Sequence, residues 1–208
     1  MTQENIIEEK NERFNPLFKS LLHPRETIRY ITENETNSMY YIMFYGYGLI
    51  NFMDGISRND YHLSYAMIIS MLIFAPVLAY FDVYITGWLY SLFGRLLGGK
   101  ATPNELRMSV LWSVAPLVLF LPFSLATFVG ASENFVYYII SNITYRRILY
   151  LTLFVEIILA VWSYINSIRM VSEVQGFSKW RAFLSMILPG IIMIAAIVII
   201  ISFFALTI

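Results

Sequence analysis

The sequence predicts an all-α membrane protein, a bundle of five transmembrane helices preceded by an amphipathic interfacial helix. Of its 208 residues, 58% are hydrophobic and only 13% are charged, whereas soluble domains average about 25% charged residues. Several apolar runs reach about 20 residues, the length that a helix needs to cross a hydrocarbon core of about 30 Å. Low charge and long apolar runs together favour a compact bundle of spans over a soluble domain.

The N-terminal part of the chain is polar. Residues 1–14 are predicted to form a mobile polar tail, and residues 15–37 an amphipathic segment. Asn15 followed by Pro16 is typical of a helix start, and His23 precedes a second proline where the helix restarts. The pattern fits a broken helix in the headgroup layer; a surface helix packed on the protein's own loops explains it equally well.

The membrane bundle is predicted to occupy residues 38–208. Its spans are expected at about 38–55, 62–93, 106–130, 148–170 and 183–207. The first span is diluted by tyrosines and has the weakest apolar signal. The second exceeds a core of about 30 Å at about 1.5 Å per residue, so it must tilt, bend at Pro76 or protrude. Prolines inside spans free backbone groups that neighbouring helices must satisfy.

Lysine and arginine predict the orientation, because they concentrate on the cytoplasmic side of a membrane. With five crossings and the N-terminus in the cytoplasm, eleven lie on the inner side and three on the outer side. If the first span did not cross, the count would be eight outside against six inside. We therefore expect a multi-pass protein of the cell membrane with its C-terminus outside. The polar start contains no secretory signal core, so the first span would act as its own insertion signal.

Two acids fall deep within predicted spans. Asp82 lies about 11 residues from the inner end of the second span and Glu156 about 8 residues from the outer end of the fourth, which is about 16 and 12 Å. Thr86 and Ser163 extend the two polar stripes. A charge at the bilayer centre costs about 2.5 to 3.5 kcal/mol on insertion scales, which makes such residues functional candidates. Protonated acids that hydrogen-bond between helices as structural contacts are the alternative.

The link between the second and third spans is predicted to bind a partner on the inner face. Its candidate residues are Arg95, Gly98, Gly99, Lys100, Glu105 and Arg107. Gly94, Gly98 and Gly99 carry the GxxxG spacing of close helix contacts, although their place beside Arg95 at the inner end of the span favours a flexible helix end. A phosphate-binding loop would need a following motif that is absent. Thr102, Pro103 and Glu105 form a helix start in which threonine caps the helix and the acid complements its dipole.

Signals for an enzyme, a metal or a cofactor are missing from the sequence. The chain has no cysteine and two histidines, His23 and His62, which are predicted on opposite sides of the membrane. Neither a zinc site nor a serine–histidine pair can be assembled from them, and no HExxH or GxSxG motif is present. Nucleic acid is not an expected partner, because the basic residues follow the ordinary membrane asymmetry.

Three segments carry a resemblance to a known family. They are NPLFKSLLHPRETIRYI, GRLLGGKATPNELRMSV running into WSVAPLV, and VWSYINSIRMVSEVQGFSKWRAF. The chain resembles the Yip (Ypt-interacting protein) membrane-domain family over about residues 15–205, in the single-domain form common in bacteria and archaea. The eukaryotic trafficking branch carries a DLYGP-like acidic segment in its inner link. This chain lacks that segment, so binding of small GTPases is not inferred.

The resemblance implies five spans, a cytosolic N-terminus and a role as adaptor or membrane organiser, without catalytic residues. We therefore expect a non-enzymatic protein that contacts the lipid bilayer and other membrane proteins, for example as an accessory subunit of an exporter. Whether it forms a homo-oligomer is left open. The alternative is a small transporter or channel for a proton, ion or small solute that uses Asp82 and Glu156.

Overall fold

The computed structural model of the chain describes residues 15–33, 38–56, 64–131 and 143–207, and these residues form helices without any strand. In chain order the helices are α1 Pro16–Leu22, α2 Pro24–Glu33, α3 Ser38–Ile56, α4 Tyr65–Leu96, α5 Pro103–Ser113, α6 Ala115–Ala131, α7 Ile143–Gln175 and α8 Lys179–Thr207. The prediction of an all-helical protein is confirmed. The predicted tail at 1–14 lies outside the described residues.

Three single helices are long and apolar enough to cross a membrane, namely α4 and the segments Tyr150–Gln175 of α7 and Lys179–Phe203 of α8. The consecutive helices α5 and α6 pass the same test as a pair that is bent by 44°. The described residues therefore contain three candidate spans, or four if the bent pair is one span. Helix α3 has 19 residues but falls short of this apolarity, in keeping with its tyrosines.

The bend between α5 and α6 explains why the predicted span at 106–130 is two helices. Pro116 has no N–H, so the Trp112 carbonyl cannot accept the hydrogen bond that a continuous helix would provide. That carbonyl accepts from the Val114 N–H instead, and α5 ends there. The Val114 carbonyl then accepts from the Val118 N–H at 3.0 Å as the next helix begins.

Pro76 shows how a proline is accommodated inside the long helix α4. Its missing N–H leaves the Leu72 carbonyl, four residues earlier, without its helical partner. The Tyr45 hydroxyl of α3 donates a hydrogen bond to this carbonyl at 3.1 Å. A neighbouring helix thus satisfies the group that the proline frees, as the sequence predicted.

Two glycines allow α3 to approach its neighbours closely. A Cβ atom at Gly48 would collide with the backbone carbonyl of Ala75 in α4. A Cβ atom at Gly46 would lie 2.8 Å from Cγ1 of Val118 in α6. Helix α3 is therefore fitted against both α4 and α6, with glycine at each point of contact.

Helices α1 and α2 pack against the bundle's own helices. The Trp162 indole of α7 donates to the Leu21 carbonyl at 3.1 Å, and the Asn166 amide donates to the Ser20 carbonyl at 3.2 Å. These bonds lie at the end of α1, where the helix is interrupted before Pro24. The predicted break is confirmed. The bonds show that α1 packs on α7, and the place of this segment in the headgroup layer stays a prediction.

Helix α2 is held at the C-terminal end of α7 by charge. Arg29 donates a hydrogen bond to Glu173, Arg25 lies 3.7 Å from the same carboxylate, and Arg25 also donates to Ser172 at 3.2 Å. The hydrogen bond to Glu173, followed by its charge, raises the pKa of the Arg29 guanidinium. On its other side α2 buries Ile28 in the cluster that surrounds Trp112.

Candidate functional site

Helices α4 and α7 end beside each other with the same backbone motif. Gly98, with φ of 86°, ends α4, and its N–H donates to the Arg95 carbonyl at 3.0 Å while the Gly99 N–H donates to the Gly94 carbonyl at 2.8 Å. This pair of bonds is a Schellman motif, in which a glycine in the left-handed region satisfies the last carbonyls of the helix. The positive φ explains why glycine occupies position 98.

The C-terminal end of α7 repeats this arrangement. Gly176 has φ of 69°, and its N–H donates to the Glu173 carbonyl at 3.2 Å. The Phe177 N–H donates to the Ser172 carbonyl at 3.3 Å. We call residues 97–102, between α4 and α5, the first link, and residues 176–178, between α7 and α8, the second link.

Gln175 joins the two links. Its side chain, only 1% exposed, accepts a hydrogen bond from the Ala101 N–H at 3.1 Å and donates one to the Tyr90 carbonyl at 3.3 Å. Its backbone carbonyl accepts from the Lys100 N–H at 3.3 Å. One buried amide therefore connects α4, the first link and the end of α7.

Glycines make room for that amide. A Cβ atom at Gly94 or at Gly99 would collide with the Gln175 side chain, and one at Gly99 would also lie 2.8 Å from Cε1 of Phe177. The glycine spacing in the first link thus admits a glutamine side chain from another helix. Sequence reasoning missed Gln175, although an amide directly before a glycine at the end of an apolar helix is a signal for a buried helix-end contact.

The predicted partner-binding residues divide into two groups. Arg95, Gly98 and Lys100 are exposed on the surface of the first link and its helix end. Gly99 is half-buried and lies against Gln175. Its role in this site is therefore to make room for the glutamine.

Glu105 acts within its own helix end. Its carboxylate accepts from the Thr102 N–H at 2.6 Å and from the Thr102 hydroxyl at 2.8 Å, and the Glu105 N–H donates back to that hydroxyl at 3.3 Å. This is a capping box, with Pro103 in the first turn of α5. The predicted helix start is confirmed. It uses the Glu105 carboxylate, which was also predicted to bind a partner.

Arg107 lies between helices. Its guanidinium carbon is 3.9 Å from the centroid of the Tyr84 ring in α4, a cation–π geometry. A Cβ atom at Gly87 would lie 2.6 Å from Cγ of Arg107, so that glycine lets the arginine stem pass. The half-buried Arg107 therefore takes part in the α4–α5 contact, and its predicted role in partner binding stays a prediction.

The two intramembrane acids bond to different helices. Asp82 accepts a hydrogen bond from the Tyr47 hydroxyl of α3 and one from Thr86, one turn along α4, at 3.4 Å. Glu156 of α7 accepts from the Ser124 hydroxyl of α6 at 2.6 Å. Each carboxyl thus has its own partners, and each links a pair of helices.

Ser163 does not extend either of these contacts. Its hydroxyl is buried and has no hydrogen-bond partner among the described residues. The same is true of the Trp112 indole N–H and of the Asn166 carbonyl oxygen. In the described part of the chain, no three histidine, aspartate or glutamate side chains lie together as metal ligands would.

Comparison with known proteins places this architecture in one family. Residues 18–200 match the Yip1 domain, which is most of the chain. No curated protein and no solved structure matches the chain significantly. The match includes both links, the Gln175 contact and most of the packed α1–α2 segment. The candidate spans give the protein a multi-pass membrane character. The chain therefore belongs to the Yip1 domain family.

Proposed function

We propose that this protein is a non-enzymatic adaptor or organiser of the cell membrane that binds other membrane proteins through its first link. The carrying observation is that Gln175 fixes the first link and α4 to the end of α7, directly before the second link. Binding residues are typically presented on loops held by a rigid scaffold. Arg95, Gly98 and Lys100 are exposed on this fixed surface and are the proposed contacts.

The adaptor proposal accounts for the two intramembrane acids better than transport does. Asp82 and Glu156 hydrogen-bond to separate helices, α3 and α6. Interhelical hydrogen bonds of this kind are worth on the order of 1 kcal/mol in a membrane. The bonds support a structural role for both acids, in which each holds one helix pair together.

We further propose five crossings, with the N-terminus in the cytoplasm and the C-terminus outside. Helix α3 supports the count because it packs along two candidate spans. Its Met43 shares a buried cluster with Val83 of α4 and Val118 of α6, and its Met53 shares another with Met71 of α4 and Phe128 of α6. A helix that follows two spans over this length lies at the same depth as they do.

Single cysteines test this topology, because the chain has none of its own. In intact cells, Thr2→Cys, Lys100→Cys and Lys179→Cys are expected to resist an impermeant thiol reagent, and Asn134→Cys is expected to react. All four should react once the membrane is permeabilised, which controls for buried thiols. Labelling of Lys100→Cys in intact cells would contradict the five-span topology.

Charge reversal in the first link tests the adaptor role. If the partner pairs acidic groups with Arg95 and Lys100, the double variant Arg95→Glu/Lys100→Glu places like charges across the interface, which cost several kcal/mol. The proteins that co-purify from native membranes are then expected to fall by at least about tenfold. Quantitative mass spectrometry of the purified complexes measures this loss.

Arg147→Glu is the matched control, because Arg147 is exposed near the opposite end of α7. This control should retain the co-purifying proteins. Unchanged co-purification with the double variant would remove the first link as the partner surface. Gly98 and Gly99 are unsuitable for the test, since bulky residues there would disturb the positive φ of Gly98 or the Gln175 contact.

A further inference from the structure

Four basic side chains project from the two links and their helix ends. Arg95 lies in the last turn of α4, Lys100 in the first link, and Lys179 and Arg181 in the first turn of α8, and all four are exposed. We call these four residues the basic patch.

The segments that carry the basic patch pack together. Ala101 and Ala182 belong to one buried cluster, with Phe177 of the second link packed against it. Lys100 and Arg181 are the sequence neighbours of those two alanines. The first link and the start of α8 are therefore neighbours, and the exposed cations that they carry lie at the same end of the bundle.

The acids closest to the basic patch in sequence are already engaged. Glu105 completes the capping box with Thr102, and Glu173 holds Arg25 and Arg29 of α2. Among the described residues, no cation of the basic patch takes part in a salt bridge. Its positive charge is thus uncompensated within this part of the chain.

Large apolar side chains alternate with these cations. Trp180, 67% exposed, stands between Lys179 and Arg181 and stacks on Phe183 at a centroid distance of 5.3 Å. Leu96, 73% exposed, follows Arg95. Tryptophan is enriched at the headgroup level of membranes, where one side of its ring is apolar and its N–H is polar.

We propose that the basic patch binds the headgroups of anionic phospholipids, while Trp180 and Leu96 enter the adjoining acyl region. Uncompensated cations beside interfacial apolar groups match a lipid with a net negative headgroup. Each lysine or arginine near an anionic surface contributes about a fivefold gain in binding. This inference goes beyond the proposed adaptor role and requires no partner protein.

The test uses the purified full chain in detergent micelles without any partner. Native mass spectrometry would compare binding of phosphatidylglycerol with that of phosphatidylcholine carrying the same acyl chains. The wild type is expected to retain more phosphatidylglycerol. The variant in which all four cations of the basic patch become glutamine is expected to lose at least about 100-fold in phosphatidylglycerol binding, with phosphatidylcholine binding unchanged.

Three variants complete the design. Arg147→Gln, at the opposite end of α7, should bind phosphatidylglycerol within about twofold of the wild type, and Lys100→Arg/Lys179→Arg should do the same because charge is kept. If the fourfold variant aggregates, Lys179→Gln/Arg181→Gln replaces it, with an expected loss of about 25-fold. Equal binding of the two lipids by the wild type, or full phosphatidylglycerol binding by the glutamine variants, would overturn the proposal.

Discussion

Replacing Gly48 with alanine is expected to lower the free energy of unfolding by on the order of 3 kcal/mol. The added methyl group would collide with the Ala75 backbone carbonyl, and a helix backbone cannot turn aside as a flexible side chain can. Overpacking of a tight contact costs about 1 to 3 kcal/mol and occasionally more. We expect this substitution at the upper end, because α3 must move away from α4.

That movement would also break contacts with α4 on either side of Ala75. The neighbouring Tyr47 donates to Asp82, and Tyr45 donates to the Leu72 carbonyl that Pro76 frees. Both bonds join α3 to α4, so both depend on the close approach at Gly48. Unfolding in mixed micelles of increasing denaturing detergent, followed by circular dichroism, measures the loss of stability.

Gly55 provides the control on the same helix. A Cβ atom at Gly55 would meet nothing within 4 Å, so Gly55→Ala carries the same chemical change without the collision. Alanine is the better helix former by up to about 1 kcal/mol, and we expect wild-type stability or slightly more. Equal effects of the two substitutions would show that helix propensity, and not the contact with α4, determines the response.

Replacing Gln175 with methionine is expected to cost about 2 to 3 kcal/mol and to loosen the first link. Methionine keeps nearly the same volume, but its sulfur is only a weak acceptor for the buried Ala101 N–H and it cannot donate to the Tyr90 carbonyl. A buried donor left without a partner costs about 1 to 3 kcal/mol. Amide hydrogen exchange across residues 97–102 should become faster, and this local readout accompanies the loss of global stability.

Asn104→Met is the comparison for this substitution, because Asn104 is exposed at the start of α5, directly after the first link. It makes the same change from amide to thioether without removing a buried bond, so exchange across the first link should stay at the wild-type rate. If Gln175→Met left both stability and exchange unchanged, Gln175 would not be what joins the two links.

Local features of the fold could be predicted from the sequence because their partners are close in the chain. The cap at Asn15 and the capping box at Thr102 and Glu105 each close within three residues. The long apolar helices followed from composition alone. The division of the predicted span at 106–130 into α5 and α6 was not predicted, because it depends on the backbone bonds around Val114 that follow from Pro116.

Contacts between distant segments could not be predicted in the same way. The partners of Gln175 lie 74 and 85 residues away, and the donor that satisfies Leu72 lies 27 residues away. The rotation of a helix about its axis decides whether Arg107 faces solvent or Tyr84, and composition does not determine that rotation. For the same reason, similar depths for Asp82 and Glu156 did not indicate which helices they contact.

The C-terminal part of α8 has a consequence for how the protein responds to its membrane. From Ile191 to Phe203 its side chains are exposed. A Cβ atom added at Gly190, next to Pro189, would meet no other atom within 4 Å. At about 1.5 Å per residue this 29-residue helix is about 43 Å long, against a hydrocarbon core of about 30 Å. A change of bilayer thickness costs fractions of a kcal/mol per Å of mismatch. Helix α8 can absorb that change by tilting from Pro189 while the rest of the bundle keeps its packing, so the protein can tolerate membranes of different thickness.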